Sequence, residues 1–171
     1  MTPHIDVIIQ NGSEINRQYL VDRVRDITLG RDVSVVYIYL LPDEFVTYPN
    51  KRGQTIYIGE AGRPSEPTGK RFGQHISTEE NKGGDTGTIY SLSRYYWQGK
   101  RIQLKIFLMP NRDKRKKVER RLLNAHVKEF GSLPICQGTT GSNYGTKFLS
   151  ELVVLENDLT QFQATSDNAL N

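Results

Sequence analysis

The chain has 171 residues, 36% apolar and 25% charged, a balance that excludes a disordered polymer. It holds no apolar run near the ~20 residues of a membrane span, which excludes a helical membrane protein. The length suits one domain, residues 1–171, burying roughly two thirds of its unfolded surface. A formal charge of +4 and a pI near 9.2 permit a polyanionic partner. The single cysteine, Cys136, leaves no internal disulfide to form, and no charged and apolar leader opens the chain, so the expected setting is reducing and cytoplasmic.

In chain order, residues 1–32 read as an N-terminal accessory strand or helix. Within them, residues 14–27 carry Leu20, Val24 and Ile27 on one side of a helix that Ser13 is placed to cap. Residues 33–41 (VSVVYIYLL) are β-branched and aromatic and residues 54–59 (QTIYIG) alternate, which predicts an antiparallel pair joined by a Pro- and Gly-containing link. Two short helices are expected next, Lys70–Thr78 and Thr88–Trp97, separated by Gly83 and Gly84. Residues 102–109 alternate as a third strand, which Pro110 ends. From Asp113 to Phe130 the apolar positions fit one helical arc, with Gly131 as the stop. Segment 146–156 is apolar at both helical and strand spacing and is read as a helix, followed by a polar tail over 157–171. The expected fold is α+β, a small central antiparallel sheet of about three strands flanked by helices. Its core spans 33–137, with a C-terminal extension over 138–171.

Two departures from a purely structural pattern carry chemistry. On a helical wheel Glu119 falls about 100° from Val118, in the middle of the apolar arc of helix 113–130. An ionised carboxylate there costs several kcal/mol unless a cation or donors compensate, so it implies a metal, an arginine, a cleft mouth or a structural ion pair. His126 lies near the same arc and reads as a hydrogen-bonded core residue. The second departure is Tyr57-Ile58-Gly59 at a strand end, followed by a helix on which Arg71 and His75 share one face while Phe72 and Ile76 anchor the neighbouring face.

Taken in order, these residues resemble the GIY-YIG nuclease superfamily, whose pattern is two tyrosine-bearing strands, a helix with Arg and often His four later, and a later helix with one Glu. Val35-Val36-Tyr37 stands where the first triplet belongs, Tyr57-Ile58-Gly59 is the second triplet, Arg71 and His75 fit the helix, and Glu119 fits the metal-ligand position. Glu60 follows the second triplet, with Lys70 as a nearby positive charge. The family's terminal Asn has no clean counterpart, since Pro134 leads to Gln137 and Asn143 lies further on.

The resemblance implies a stand-alone, divalent-metal-dependent endonuclease that hydrolyses DNA phosphodiester bonds, restriction-like or relaxed. In it Glu119 holds Mg²⁺ or Mn²⁺, Arg71 contacts phosphate oxygens, and Tyr37 positions water or base. Two bases are available: Tyr57, whose phenol needs nearby positive charge at neutral pH, and His75, whose ordinary pKa of ~6.5 suits proton transfer better. The basic series Lys114, Arg115, Lys116, Lys117 and Arg120, flanked by Arg112 and Arg121, is expected with Lys70 to contact the backbone of double-stranded DNA. A homodimer would let one site per chain cut both strands. The alternatives are a nucleic-acid-binding module of the same fold without catalysis and a structural protein that uses the fold for assembly.

Overall fold

The computed structural model describes residues 1–80 and 87–137. The separating Gly83 and Gly84 and the C-terminal extension 138–171, with the helix read over 146–156 and the tail 157–171, lie outside the described residues.

The protein is α+β. Four antiparallel strands form its sheet in the order β1-β6-β2-β5, one strand more than the sequence predicts. The extra strand, β1 (Ile5–Ile9), comes from the accessory N-terminal region. Its Ile5, Val7 and Ile9 stand opposite Ile106, Leu104 and Ile102 of β6 (Ile102–Met109), so the short IDVII run buries apolar groups by extending an existing ladder. Strands β2 (Ser34–Leu40) and β5 (Thr55–Ala61) form the expected antiparallel pair, with β5 running two residues beyond its expected end and taking in Glu60. The link between them folds into a two-stranded ribbon of β3 (Val46–Thr47) and β4 (Arg52–Gly53).

Helix 14–27 is corrected. Helix α1 covers only Arg17–Asp22, and two 3₁₀ turns, Arg23–Arg25 and Ile27–Leu29, follow it. Asp26 is the cause: its backbone is extended, and its carboxylate accepts from the Thr28 N–H at 3.0 Å and from Arg23 at 2.8 Å, contacts that compete with a continuous helix. Ile27 is consequently 92% exposed. The cap is Asn16, whose side chain accepts from the Gln18 N–H, while the Ser13 hydroxyl donates to the carbonyls of Gln10 and Ile15.

Helix α2 (Lys70–Gln74) is shorter than predicted because the carbonyls that would extend it are used elsewhere. His75 accepts from the Ile89 N–H and Ile76 from the Arg17 side chain. Helix α3 (Tyr90–Trp97) and helix α4 (Arg112–Phe130) follow the sequence closely. Asn111 caps α4 at the Lys114 N–H, and Gly131 ends it at φ 81°, a left-handed conformation that favours glycine.

Alternation along β2 divides the interior in two. Val35, Tyr37 and Tyr39 join Leu20, Phe72 and Leu92 of α1, α2 and α3 on one face, while Val36, Ile38 and Leu40 meet Leu123 of α4 on the other. His126 is a buried core residue as expected, with Nδ1 2.7 Å from the Ser132 carbonyl and its ring stacked on Phe130. Among the described residues no helix is long and apolar enough to cross a membrane.

Candidate active site

Because β5 is an edge strand, groups from both faces of the sheet can meet around it. Tyr37 and Tyr57 reach its end from the face covered by α2, and Glu60 and α4 reach it from the other. They converge on a cavity of about 350 Å³ lined by Tyr37, Tyr57, Glu60, Arg71, Arg115 and Glu119, with Arg63 and Glu66 among its other walls. Four of the five residues that the sequence nominates for catalysis thus share one pocket.

Gly59 makes the aromatic wall possible. It stands opposite Tyr37 across the β2/β5 ladder, and a Cβ there would lie 2.6 Å from the Tyr37 ring and hydroxyl and 2.8 Å from Tyr57. Only the missing side chain lets the two rings stack at a centroid separation of 6.1 Å. Gly87 serves the Arg71 guanidinium in the same way, since a Cβ would meet its Nη1 at 2.6 Å.

The fifth nominee, His75, lies behind the pocket. It is fully buried, with Nε2 3.2 Å from the Tyr37 hydroxyl and Nδ1 2.8 Å from the Tyr39 hydroxyl. Burial, helped by the Arg71 charge, holds its pKa well below the ordinary histidine value, so the ring is neutral at physiological pH. Burial pushes both Tyr37 and Tyr57 above the usual phenol range, while Arg71 pulls each back toward ionisation. Of the two phenols, Tyr57 is the more open to the cavity.

On the other wall, burial and then the neighbouring Glu60 raise the Glu119 carboxyl to about 7, against the lowering influence of Arg115, Arg120 and Lys116. Glu119 therefore carries its charge only part of the time at neutral pH, and a cation entering the pocket would favour the ionised form. Arg115 departs from the role the sequence assigns it. The residue is 5% exposed and its guanidinium pairs with Glu60, while Nη1 donates to the Gly62 carbonyl at 2.7 Å and reaches the Ser34 hydroxyl at 3.3 Å. An arginine committed to three internal partners is part of the pocket wall, whereas Lys114, Lys116, Lys117 and Arg120 face solvent. Its signal was its position, four residues and one helical turn before Glu119 on the same face. Lys70 is exposed and pairs at 2.7 Å with Glu66 of the pocket lining.

Three further residues were given no role by the sequence reading. Glu60 was noted only as a neighbour of the triplet. Tyr39 could have been found from its i+2 spacing to Tyr37, which places both on one face of β2. Gln137 accepts from the Ile58 N–H at 3.3 Å and, with the Cys136 N–H donating to the Ile56 carbonyl at 2.8 Å, closes part of the free edge of β5 next to Tyr57.

The donor set suits one hard divalent cation. Glu119 offers an oxygen ligand inside the cavity, Glu60 is already paired, and no cluster of three or more acidic, histidine or cysteine side chains occurs among the described residues. Such a site fits an ion that keeps most of its own water, as Mg²⁺ does. Compared with known protein families, with characterised proteins and with solved structures, the chain matches none.

Proposed function

We propose that the protein is a divalent-metal-dependent endonuclease, of the GIY-YIG type its motifs resemble, that hydrolyses phosphodiester bonds of double-stranded DNA. The observation that carries this reading is the convergence of Tyr57, Arg71 and Glu119, from a strand and two helices, on one cavity. Phosphodiester hydrolysis needs a group to accept a proton from water, a cation for the charge growing on the phosphate oxygens, and help for the departing 3′ oxygen.

Tyr57 is the base. It faces the pocket, and burial raises its phenol while Arg71 and Tyr37 draw it back toward ionisation, whereas His75 has no route to substrate except through Tyr37. Arg71 supplies a fixed, forked cation for the phosphate. Glu119 would hold Mg²⁺ or Mn²⁺, which would supply the remaining positive charge at the scissile phosphate. The solvent-facing Lys114, Lys116, Lys117 and Arg120 of α4 contact the DNA backbone beside the cleft and steer without reading sequence. Two copies acting together would cut both strands.

The deciding experiment incubates the full chain with supercoiled plasmid and Mg²⁺ or Mn²⁺, then repeats it with EDTA. Metal-dependent nicking or linearisation is the expected result, with discrete fragments identifying a sequence-specific enzyme. DNA that is retained in a gel shift but never cut would instead make the protein a binding module.

A further inference from the structure

The wall behind Tyr37 holds a buried polar chain that the proposed reaction does not itself require. Tyr39 is 0% exposed, its hydroxyl lies 2.8 Å from His75 Nδ1, and the opposite nitrogen of the ring, Nε2, lies 3.2 Å from the Tyr37 hydroxyl. A neutral imidazole has one N–H and one lone pair, so only two arrangements are open to it. If Nδ1 carried the proton it would donate to the Tyr39 oxygen, and the Tyr39 proton would then be buried without an acceptor, because no other partner for that hydroxyl is found among the described residues. If Tyr39 donates to Nδ1 instead, Nε2–H donates to the Tyr37 oxygen and every buried proton has a destination.

We propose that Tyr39 is a positioning residue for the cleavage site: by donating to His75 Nδ1 it places the imidazole proton on Nε2, and so leaves the Tyr37 hydroxyl proton to point into the pocket. The inference rests on the nuclease reading for its effect on rate, but not for the tautomer itself. The direction of the chain runs Tyr39 to His75 to Tyr37, and its last proton is directed into the cavity that Tyr37 and Tyr57, their rings stacked at a centroid separation of 6.1 Å, both line. Donated to the Tyr57 oxygen, that proton would favour the phenolate, which is the direction in which Tyr37 acts on Tyr57 against the larger effect of burial. Reversed, the same atoms would turn the Tyr37 proton toward His75, and the base would lose a donor.

Tyr39→Phe removes one oxygen and keeps the ring in the core. The test combines steady-state plasmid cleavage with nitrogen NMR of the His75 ring in the full-length wild type and variant, with thermal melting as the check on folding. The expected result is a wild-type ring protonated at Nε2, a variant ring shared between both tautomers, and a kcat about tenfold lower or less at unchanged KM. A wild-type ring protonated at Nδ1, or a folded variant with wild-type kcat and an unchanged nitrogen spectrum, would overturn the proposal. A wild type that cuts no DNA would instead sink the nuclease reading, and the spectrum would still decide the tautomer.

Discussion

The two walls of the cleft are made differently. The wall from β2, β5 and α2 is aromatic and largely closed to water, with Tyr37 at 1% exposure and His75 at 0%. Its acid–base state is set by desolvation, which raises the phenols and lowers the imidazole, so its groups stay neutral until Arg71 or a donor intervenes. The α4 wall is charged, and its key carboxyl, Glu119, titrates near neutrality because burial and Glu60 oppose Arg115, Arg120 and Lys116. In the proposed reaction the difference would separate two tasks, the aromatic wall orienting protons beside the Arg71 cation and the α4 wall balancing the charge of Glu119.

The largest effect should come from emptying the charged wall. Glu119→Ala is expected to lower metal-dependent cleavage by ~10³-fold or more while a gel shift still shows DNA retained. Full activity in that variant would reject Glu119 as the metal ligand. On the aromatic wall, Arg71→Lys keeps the charge but loses the fork, and a loss of about 10²-fold in kcat is expected. Single-turnover rates at saturating metal would show it, and a loss of DNA affinity alone would point to a binding role instead.

The pH dependence sharpens the comparison further. A cation competes with the Glu119 proton, so apparent metal affinity should fall about tenfold for each pH unit below 7, as metal titrations between pH 5.5 and 8.5 would report. Stability has the opposite sign in the metal-free protein. The folded carboxyl has a raised pKa, so its contribution is fully present below the ordinary carboxyl value of 4.5 and is lost as pH rises through about 7. Glu119→Gln should flatten that part of the melting profile. The smallest effect is expected outside the cleft, where Lys116→Ala and Lys117→Ala should each weaken Kd a few-fold and reduce the salt slope of binding by about 1. An unchanged slope would remove α4 from the DNA-contacting surface.

The elements that were legible in the sequence are those whose local signals agree. Helix α4 has an apolar arc, an Asn cap and a Gly stop, and β6 alternates without interruption, so both match their expected ranges to within a residue. The first helix failed because the Asp26 carboxylate offers the Thr28 N–H and the Arg23 side chain a competing set of hydrogen bonds, a cost that apolar spacing does not register. Strand β1 is short, and its place in the sheet depends on a partner almost a hundred positions away, beyond what a local window reads. In the pocket, Tyr57, Arg71 and Glu119 stood out because each breaks or punctuates a pattern. Arg115 was masked by the basic residues around it, and its burial follows from a tertiary partner, Glu60, that no helical wheel contains.

That same arginine joins three segments. From α4 it grips Glu60 of β5, the carbonyl of Gly62 and the Ser34 hydroxyl at the start of β2, and Gly62 leaves room for it, since a Cβ there would lie 2.9 Å from Nη1. A lysine, a single point of charge on a flexible stem, could not span all of them. The spacing of α4 from β5 and β2 is therefore braced by the chain itself, and in the proposed reaction little binding energy would be spent on drawing the walls together.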